Sequence, residues 1–446
     1  MVHAFRFEDL FLLYDGVSGS LNACDEAAFA LARKKLGEDA DLSAFSPAQL
    51  AEAESDLAAL EADGTLFARE ELPPFSTHAG AVKALCLHIS HDCNLACEYC
   101  FAGGGDYHGE RGHMSFETAR AAVDFLIARS GGISNLEMDF FGGEPLMNFG
   151  VVRQTVAYAK RRAKEAGKHF KFTLTTNGLL LDDEITDFLN EEMDNVVLSL
   201  DGRPEVHNRV RKTRNGKDSF DLIADKFLAF RQKRGDKSYY VRGTFTAENL
   251  DFSRDVLFLN DLGFDQISVE PVVLPPEHRL AIKREHLPRI LAEYETLAKE
   301  YVRRRQTDKW FNFFHFMIDL NGGPCLSKRL TGCGAGGSYL SVTPSGKIYP
   351  CHQFAEEQDY CLGSVFRPED LREDIRETFA ASNLLTKPSC RECFAKYHCS
   401  GGCSANSVHL CGDINRPYEI SCEMMKKRTE LALGIYAFEH RAEFGL

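Results

Sequence analysis

Cys93, Cys97 and Cys100 form the pattern Cys-x3-Cys-x2-Cys, and a thiolate is a ligand for iron and for zinc. A closed zinc site wants a fourth donor and a second CxxC pair. None follows at matching spacing, although His88, His91 and His108 are near. A cubane iron–sulfur cluster has four iron sites, so three thiolates leave one iron open. An open iron binds and activates a small molecule, which an electron carrier with four protein ligands has no need to do. The triplet points to an enzyme.

The chain holds 15 cysteines, and ten of them lie between Cys325 and Cys422. The run Cys390-x2-Cys393-x5-Cys399-x3-Cys403, closed by Cys422, is a second set with metal-ligand spacing, for which a zinc ribbon is the plain alternative. A disulfide framework would rarely leave the stretch between Cys100 and Cys325 empty, so reduced thiols serving metals are expected.

The surrounding pattern shows what must position these thiols. From about 80 to 275, β-rich runs at 84–89, 136–140, 171–175, 196–200, 239–244 and 266–269 alternate with helical stretches at 115–129, 151–166, 182–191, 219–233 and 252–262. Such alternation predicts a parallel α/β sheet or an incomplete barrel, with its chemistry on the loops after the strands. The triplet follows the first strand and Phe141-Gly142-Gly143-Glu144-Pro145 ends the second. Thr175-Thr176-Asn177-Gly178 ends the third, and Ser199-Leu200-Asp201-Gly202 the fourth. Upstream, residues 3–23 alternate like a hairpin turning at Tyr14-Asp15-Gly16. Helices are predicted at 25–36, with Asp25 as N-cap, and at 46–62, with Pro47 at the first helical position. Glu70-Glu71-Leu72-Pro73-Pro74 reads as a linker. Residues 280–320 read as helical, with Trp310-Phe311-Asn312-Phe313-Phe314 expected in the core. Beyond Gly322 the chain turns Gly- and Cys-rich around one hairpin (339–342, turn Pro344-Ser345-Gly346-Lys347, 348–349), a composition that needs metal ligation in place of a large core.

At 446 residues, 44% hydrophobic and 26% charged, the chain suits a soluble protein of two or three domains. It begins without the basic start or cleavage site of a secretory signal, and no apolar run approaches the roughly 18 residues of a membrane span. A cytoplasmic protein with no membrane partner is expected. Of the net charge of −14, residues 1–75 contribute 15 Asp/Glu against 5 Lys/Arg. No basic stripe coincides with aromatic clusters, so no nucleic-acid partner is expected. Lys160-Arg161-Arg162 and Arg303-Arg304-Arg305 read as solvated helix faces.

The triplet, with the aromatic Tyr99 before its last cysteine, resembles the signature of the radical S-adenosylmethionine (SAM) superfamily, and Gly142-Gly143-Glu144-Pro145 resembles that family's GGEP motif. The resemblance implies a partial (β/α)6 barrel in which Cys93, Cys97 and Cys100 hold a [4Fe–4S] cluster and SAM chelates its open iron. Gly142 and Gly143 would let the backbone approach the methionyl amine, and Glu144 would support that cation. Thr176, Asn177, Ser199, Asp201 and Arg211 resemble the family's ribose and carboxylate contacts. The implied chemistry is reductive cleavage of SAM to methionine and a 5′-deoxyadenosyl radical, which abstracts hydrogen from an unactivated carbon.

The carboxyl-terminal cysteines closely resemble the seven-cysteine SPASM domain, which carries two auxiliary [4Fe–4S] clusters. By that resemblance Cys390, Cys393, Cys399 and Cys422 hold one. Cys333, Cys351 and Cys403 hold the other, with Cys325 available as a fourth ligand; without it, that cluster has an iron open to a substrate thiolate. Three clusters are thus implied. Cys24, Cys86, Cys361 and Cys411 fall outside the pattern and are assigned no role. His352 occupies the place where sulfatase-maturing relatives commonly carry an Asp base, which speaks against that activity.

The order of modules resembles peptide maturases: a winged-helix-like leader-recognition element (1–75), a radical SAM core (80–280), a helical bridge (281–321) and a SPASM domain (322–446). Such a first module binds a leader by adding it as a strand to a sheet edge, and its acidity would suit Lys or Arg in that leader. The SCIFF (six cysteines in forty-five) peptide maturases are the nearest resemblance. It is carried by Ser90-His91-Asp92-Cys93-Asn94-Leu95-Ala96-Cys97-Glu98-Tyr99-Cys100-Phe101-Ala102, by Val342-Thr343-Pro344-Ser345-Gly346 with Tyr349-Pro350-Cys351-His352-Gln353, and by Cys399-Ser400-Gly401-Gly402-Cys403. It implies thioether cross-linking of a cysteine-rich precursor peptide, often at Thr, with an electron donor such as flavodoxin or ferredoxin. A sulfatase maturase or a carbon–carbon peptide cross-linker would share every cluster ligand. A non-catalytic iron–sulfur carrier or zinc-bound peptide adaptor is the alternative from another class.

Overall fold

A computed structural model describes residues 1–71, 79–321 and 325–445. The linker expected at Glu70–Pro74 falls outside them from Leu72 onward, as does Gly322. The chain divides into two compact units. One comprises Met1–Ser76, Leu287–Gly332 and Asn383–Leu446, the other Thr77–His286 and Cys333–Ser382.

In the first unit the expected amino-terminal hairpin is a three-stranded meander, β1 (Val2–Phe7), β2 (Leu10–Asp15) and β3 (Leu21–Cys24), in the order β1-β2-β3. The extra turn is a tight one at Glu8 and Asp9, with Glu8 in the left-handed region (φ 53°). The Asp15 carboxylate is buried and accepts from the N–H groups of Val17 (2.7 Å) and Ala68 (2.8 Å), which closes the second turn. Helix α1 (Glu26–Lys35) is capped by Asp25, whose side chain accepts from Ala28 N–H, and α2 (Pro47–Ala62) by Ser46 in a capping box with Gln49. Leu13, Phe29, Ala32, Leu57 and Leu66 form the core beneath them. Later in this unit a helix at Leu287–Arg305 packs on the helix Glu419–Glu439. The aromatic run splits: Phe311 and Phe313 are buried, but Trp310 (41%) and Phe314 (52%) face solvent. Helix gives way there to extended chain and a short turn, so neighbouring side chains point in opposite directions.

The second unit is built on β4 (Ala84–Ser90), β6 (Asn135–Gly142), β7 (His169–Thr176), β8 (Asn195–Ser199), β10 (Tyr239–Phe245) and β11 (Gln266–Pro271), side by side in chain order. Each pairs in parallel with the next. Between them run α3 (Phe116–Arg129), α4 (Phe149–Ala166), α5 (Asp183–Glu192), α6 (Pro204–Val210), α7 (Phe220–Arg234) and α8 (Phe252–Asp261). Two three-residue strands, β5 (Leu95–Cys97) and β9 (Arg211–Thr213), make a separate ribbon. Strands β6, β7, β8 and β10 alternate buried and less buried residues. Leu136, Met138, Phe140, Phe172, Leu174, Val196, Leu198 and Val241 are buried on one face, while Glu137, Asp139, Thr173, Ser199, Tyr240 and Thr244 stand half-buried on the other. A cavity of about 300 Å³ opens on that polar face, lined by Glu137, Asp139, Lys171, Thr173, Asn195 and Tyr240 among others.

The hairpin expected near residue 340 is present, with Ser341 opposite Tyr349 and Val342 opposite Ile348. Its first strand also pairs in parallel with β4, Tyr339 beside Ala84 and Val342 beside Leu87, so the core sheet continues into a distant part of the chain. This explains why all seven residues of β4 are buried. Among the described residues, no helix is long and apolar enough to cross a membrane.

Candidate active site

The triplet leaves the sheet at Ser90 and is held from three directions. The Ser90 carbonyl accepts from Gly143 N–H (2.7 Å) and the Asp92 carbonyl from Glu144 N–H (2.9 Å), stitching this loop to the end of β6. β5, which contains Cys97, pairs with β9, so that Cys97 stands opposite Arg211. Arg214, on the far side of β9, donates to the Cys93 carbonyl and to the Asp92 carboxylate. Neither short strand has an alternation long enough to be read from sequence.

The glycines of the second-strand loop are required by the chain's own backbone. A Cβ on Gly142, whose φ is +119°, would lie 2.4 Å from the Ser90 carbonyl oxygen, and one on Gly143 2.1 Å from that of Asp92. What they admit closely is the triplet loop itself. Gly105 serves the same end, since a Cβ there would meet Cys93 Cβ at 2.9 Å.

Glu144 is buried and caps the short turn Pro145–Asn148. Its carboxylate accepts from Leu146 N–H (3.0 Å), Thr176 Oγ1 (2.8 Å) and Asn177 N–H (2.8 Å), tying the ends of β6 and β7 together. Burial pushes this carboxyl up to about 7 against the pull of those three donors. Asn177 turns its side-chain amide toward Asn94 Oδ1 (2.7 Å) and Cys93 Sγ (3.6 Å).

Asp201, fully buried after β8, accepts from Tyr99 OH (2.8 Å), Arg211 Nε (3.1 Å) and Thr244 N–H (3.0 Å). The Arg211 guanidinium also lies over the Tyr99 ring (5.4 Å to its centre) and 4.0 Å from Cys97 Sγ. Tyr99, Asp201 and Arg211 are therefore one buried node that braces the second cysteine. Ser199 sits at the last position of β8, in register with Arg242 of β10.

His88 and His91, weighed above only as zinc donors, are buried and share a 2.9 Å contact between Nδ1 of His88 and Nε2 of His91, with the Tyr107 ring against both. Tyr107 OH donates to the Gly142 carbonyl (3.3 Å). His352 stands beside Phe101 and Phe141, with ring centres 5.5 and 5.2 Å apart. This aromatic group walls the loop that follows Cys100. Only its aromatic content was visible in the sequence, because its members are scattered over 265 positions from His88 to His352.

Burial pushes Cys93 up to about 12 and Cys97 up to about 11, Cys93 also feeling Glu144 and the other two thiols, while Arg211 pulls Cys97 down. The three sulfurs thus lie within electrostatic reach of one another. Leu95 N–H (3.4 Å) and Asn177 Nδ2 (3.6 Å) donate to Cys93 Sγ. Metal binding displaces a thiol's proton, and N–H donors to sulfur tune a cluster, so buried thiols with such donors fit an iron–sulfur cluster. In the first unit Cys422 is pushed up to about 12 by burial and then by Cys399, Cys390 and Cys393, so those four thiols are also gathered. Cys351 is buried; Cys325, Cys333 and Cys403 are exposed. Among the described residues no three Cys, His, Asp or Glu side chains converge as a single metal ion requires.

Residues 87–251 match the family described as the Radical SAM superfamily. The serine-type anaerobic sulfatase-maturating enzyme of Bacteroides thetaiotaomicron is 26% identical over 350 residues, 72% of this chain and 82% of its own. The radical SAM cyclopropyl synthase TigE of Paramaledivibacter caminithermalis is 23% identical over 360 residues, 77% of this chain and 72% of its own. An uncharacterized protein of Methanocaldococcus jannaschii is 28% identical over 208 residues, and the match spans 46% of this chain and 66% of that one. Among solved structures, native anSMEcpe with bound AdoMet and Cp18Cys peptide shares the fold with a TM-score of 0.63 at 20% identity, covering 79% of this chain and 97% of its own. Over residues 87–251 the chain thus matches the Radical SAM superfamily, and over most of its length it is similar to a sulfatase-maturating enzyme and a cyclopropyl synthase.

Proposed function

We propose that this protein is a radical SAM enzyme that installs thioether cross-links in a cysteine-rich, ribosomally made precursor peptide. The observation that carries the reading is the pairing of two thiol groups in one chain: the Cys93, Cys97 and Cys100 triplet against Glu144 and Asn177, and the gathered quartet Cys390, Cys393, Cys399 and Cys422. The first would hold a SAM-binding [4Fe–4S] cluster and the second an auxiliary one.

When bound, the cluster and SAM together supply a 5′-deoxyadenosyl radical. The protein's part is to hold geometry and exclude water. Tyr99, Asp201 and Arg211 fix Cys97; Asn177 and the Leu95 amide steady the Cys93 sulfur. Glu144, buried near Cys93 and with its carboxyl pushed up by that burial, would be drawn to the charged form by the ammonium of SAM and pair with it. Tyr107, Phe141 and His352 would line one side of the space beside the triplet with rings. In the net reaction the acceptor carbon would lose a hydrogen atom and the cysteine its proton. The surplus electron of the new sulfur–carbon bond would have an acceptor in a cluster held by Cys390, Cys393, Cys399 and Cys422.

The meander β1–β3 would dock the leader by strand addition at an edge, and a flavodoxin or ferredoxin would supply reducing electrons. A sulfatase maturase is the second reading, favoured by the 26% identity over 350 residues reported above. One experiment separates them: reduced, reconstituted protein is incubated with SAM and a synthetic cysteine- and threonine-containing precursor peptide. The expected product is lighter by two hydrogens, with that cysteine blocked to alkylation. An unchanged peptide mass alongside SAM cleavage refutes thioether formation, and a sulfatase-derived peptide oxidised under the same conditions establishes the second reading. Absence of deoxyadenosine refutes radical chemistry altogether.

A further inference from the structure

Lys387 is 2% exposed. A lysine is almost never buried to that degree unless an anion accompanies it. Among the described residues no carboxylate pairs with this ammonium; its hydrogen-bond acceptor is the neutral carbonyl of Gly401, at 2.8 Å. Its surroundings are cysteines. Gly401 lies in the loop between Cys399 and Cys403, and a Cβ added to Gly401 would stand 3.5 Å from Lys387 Cδ. The carbonyl of Lys387 accepts from Cys390 N–H at 3.0 Å. Burial pushes the Lys387 amine down, and the thiols of Cys390, Cys399, Cys403 and Cys422, all within electrostatic reach, pull it back toward the charged form.

Neutral thiols would leave this cation uncompensated. Four thiolates on a cubane carry net negative charge, which would compensate it. We propose that Lys387 is the counter-charge of the cluster held by Cys390, Cys393, Cys399 and Cys422, and that it sets that cluster's reduction potential. This rests on the reading of those cysteines as cluster ligands. Reduction adds one electron and so makes the cluster more negative, which a fixed ammonium favours; the potential is raised. The cluster becomes a better acceptor for the electron released when the sulfur–carbon bond forms. Lys387 is a positioning residue: it touches neither substrate nor SAM.

The test compares Lys387→Gln, which keeps a donor for the Gly401 carbonyl but loses the charge, with Lys387→Arg, which keeps the charge. Reconstituted holoenzyme is assayed for iron and for midpoint potentials by redox titration followed by electron paramagnetic resonance. Lys387→Gln is expected to lower one midpoint by about 59 mV, a tenfold change in a one-electron equilibrium. The other midpoints should stay in place, and Lys387→Arg should match the wild type. An unchanged potential in Lys387→Gln, or equal shifts in both variants, overturns the proposal. If Lys387→Gln instead loses about four irons, retention of that iron in Lys387→Arg supports the counter-charge, and loss in both overturns it. A wild type holding only about four irons refutes the auxiliary-cluster reading itself, an outcome distinct from twelve irons and indifferent variants.

Discussion

Replacing Gly143 by Ala tests whether the glycines serve the triplet loop. The new methyl would stand 2.1 Å from the Asp92 carbonyl oxygen, 2.6 Å from its carbon and 3.1 Å from Gly105 Cα. All three neighbours are backbone, so no side chain can rotate away. An ordinary carbon–oxygen contact needs about 1 Å more room than the first of these distances allows. Making that room strains the bonds from Gly143 N–H to Ser90 O (2.7 Å) and from Glu144 N–H to Asp92 O (2.9 Å). Two backbone bonds at about 0.5–1.5 kcal/mol each, with overpacking of about 1–3 kcal/mol, amount to a loss of about 2–6 kcal/mol. Because the displaced strand of chain leads directly into Cys93, the triplet cluster should be lost with it. The assay is urea unfolding followed by circular dichroism, with iron counted per chain after reconstitution. Gly150→Ala is the control. It lies in α4 with nothing within 4 Å of the added Cβ, so it should be neutral or stabilising by up to about 1 kcal/mol. A Gly143→Ala protein with wild-type iron and an unchanged unfolding midpoint would refute the account of this loop.

Three further outcomes are expected. Arg211→Met leaves the buried Asp201 carboxylate without its cation, which should cost about 3–5 kcal/mol and reduce triplet iron; the Lys variant should recover part of both, as read by unfolding and iron assay. Replacing Cys93, Cys97 and Cys100 by Ala should remove about four of about twelve irons and abolish deoxyadenosine formation. Replacing Cys390 and Cys393 should also remove about four irons yet leave SAM cleavage intact, a split that chromatography of the nucleoside product detects. Burial holds the His207 imidazole down to about 4. The unfolded chain gains a proton as pH falls through about 6.5 and the folded chain does not, so the stability His207 contributes is full above that pH and lost between there and about 4. The unfolding midpoint should therefore fall less between pH 7 and pH 5 in His207→Gln than in the wild type; equal falls would exclude this assignment.

The parts legible in the sequence were those with local signatures. Alternation placed β6, β7, β8 and β10 within one or two residues of their bounds because one face of each strand is packed and the other is not. Asp25 and Pro47 announced their helices, since a cap or a first-turn proline acts within a few residues of the helix start. The ribbon of β5 and β9, the Tyr99–Asp201–Arg211 node and the His88–His91–Tyr107 group were not legible. Each joins residues whose types are ordinary and whose separation is set by the fold.

The sequence alone determined the chemistry on offer. Thiols spaced three and two residues apart cannot avoid being neighbours, and a glycine pair ending a strand leaves the backbone bare for close approach. Only the tertiary structure decided what those features meet. The glycines receive the carbonyls of Ser90 and Asp92, Glu144 binds the ends of two strands, and Arg211 reaches Cys97 across a ribbon closed from 114 residues away. A strand starting at Tyr339 extends the sheet beside β4 for the same reason. Backbone pairing along a parallel sheet edge depends on which strand lies alongside, and chain distance leaves no trace of that in local pattern.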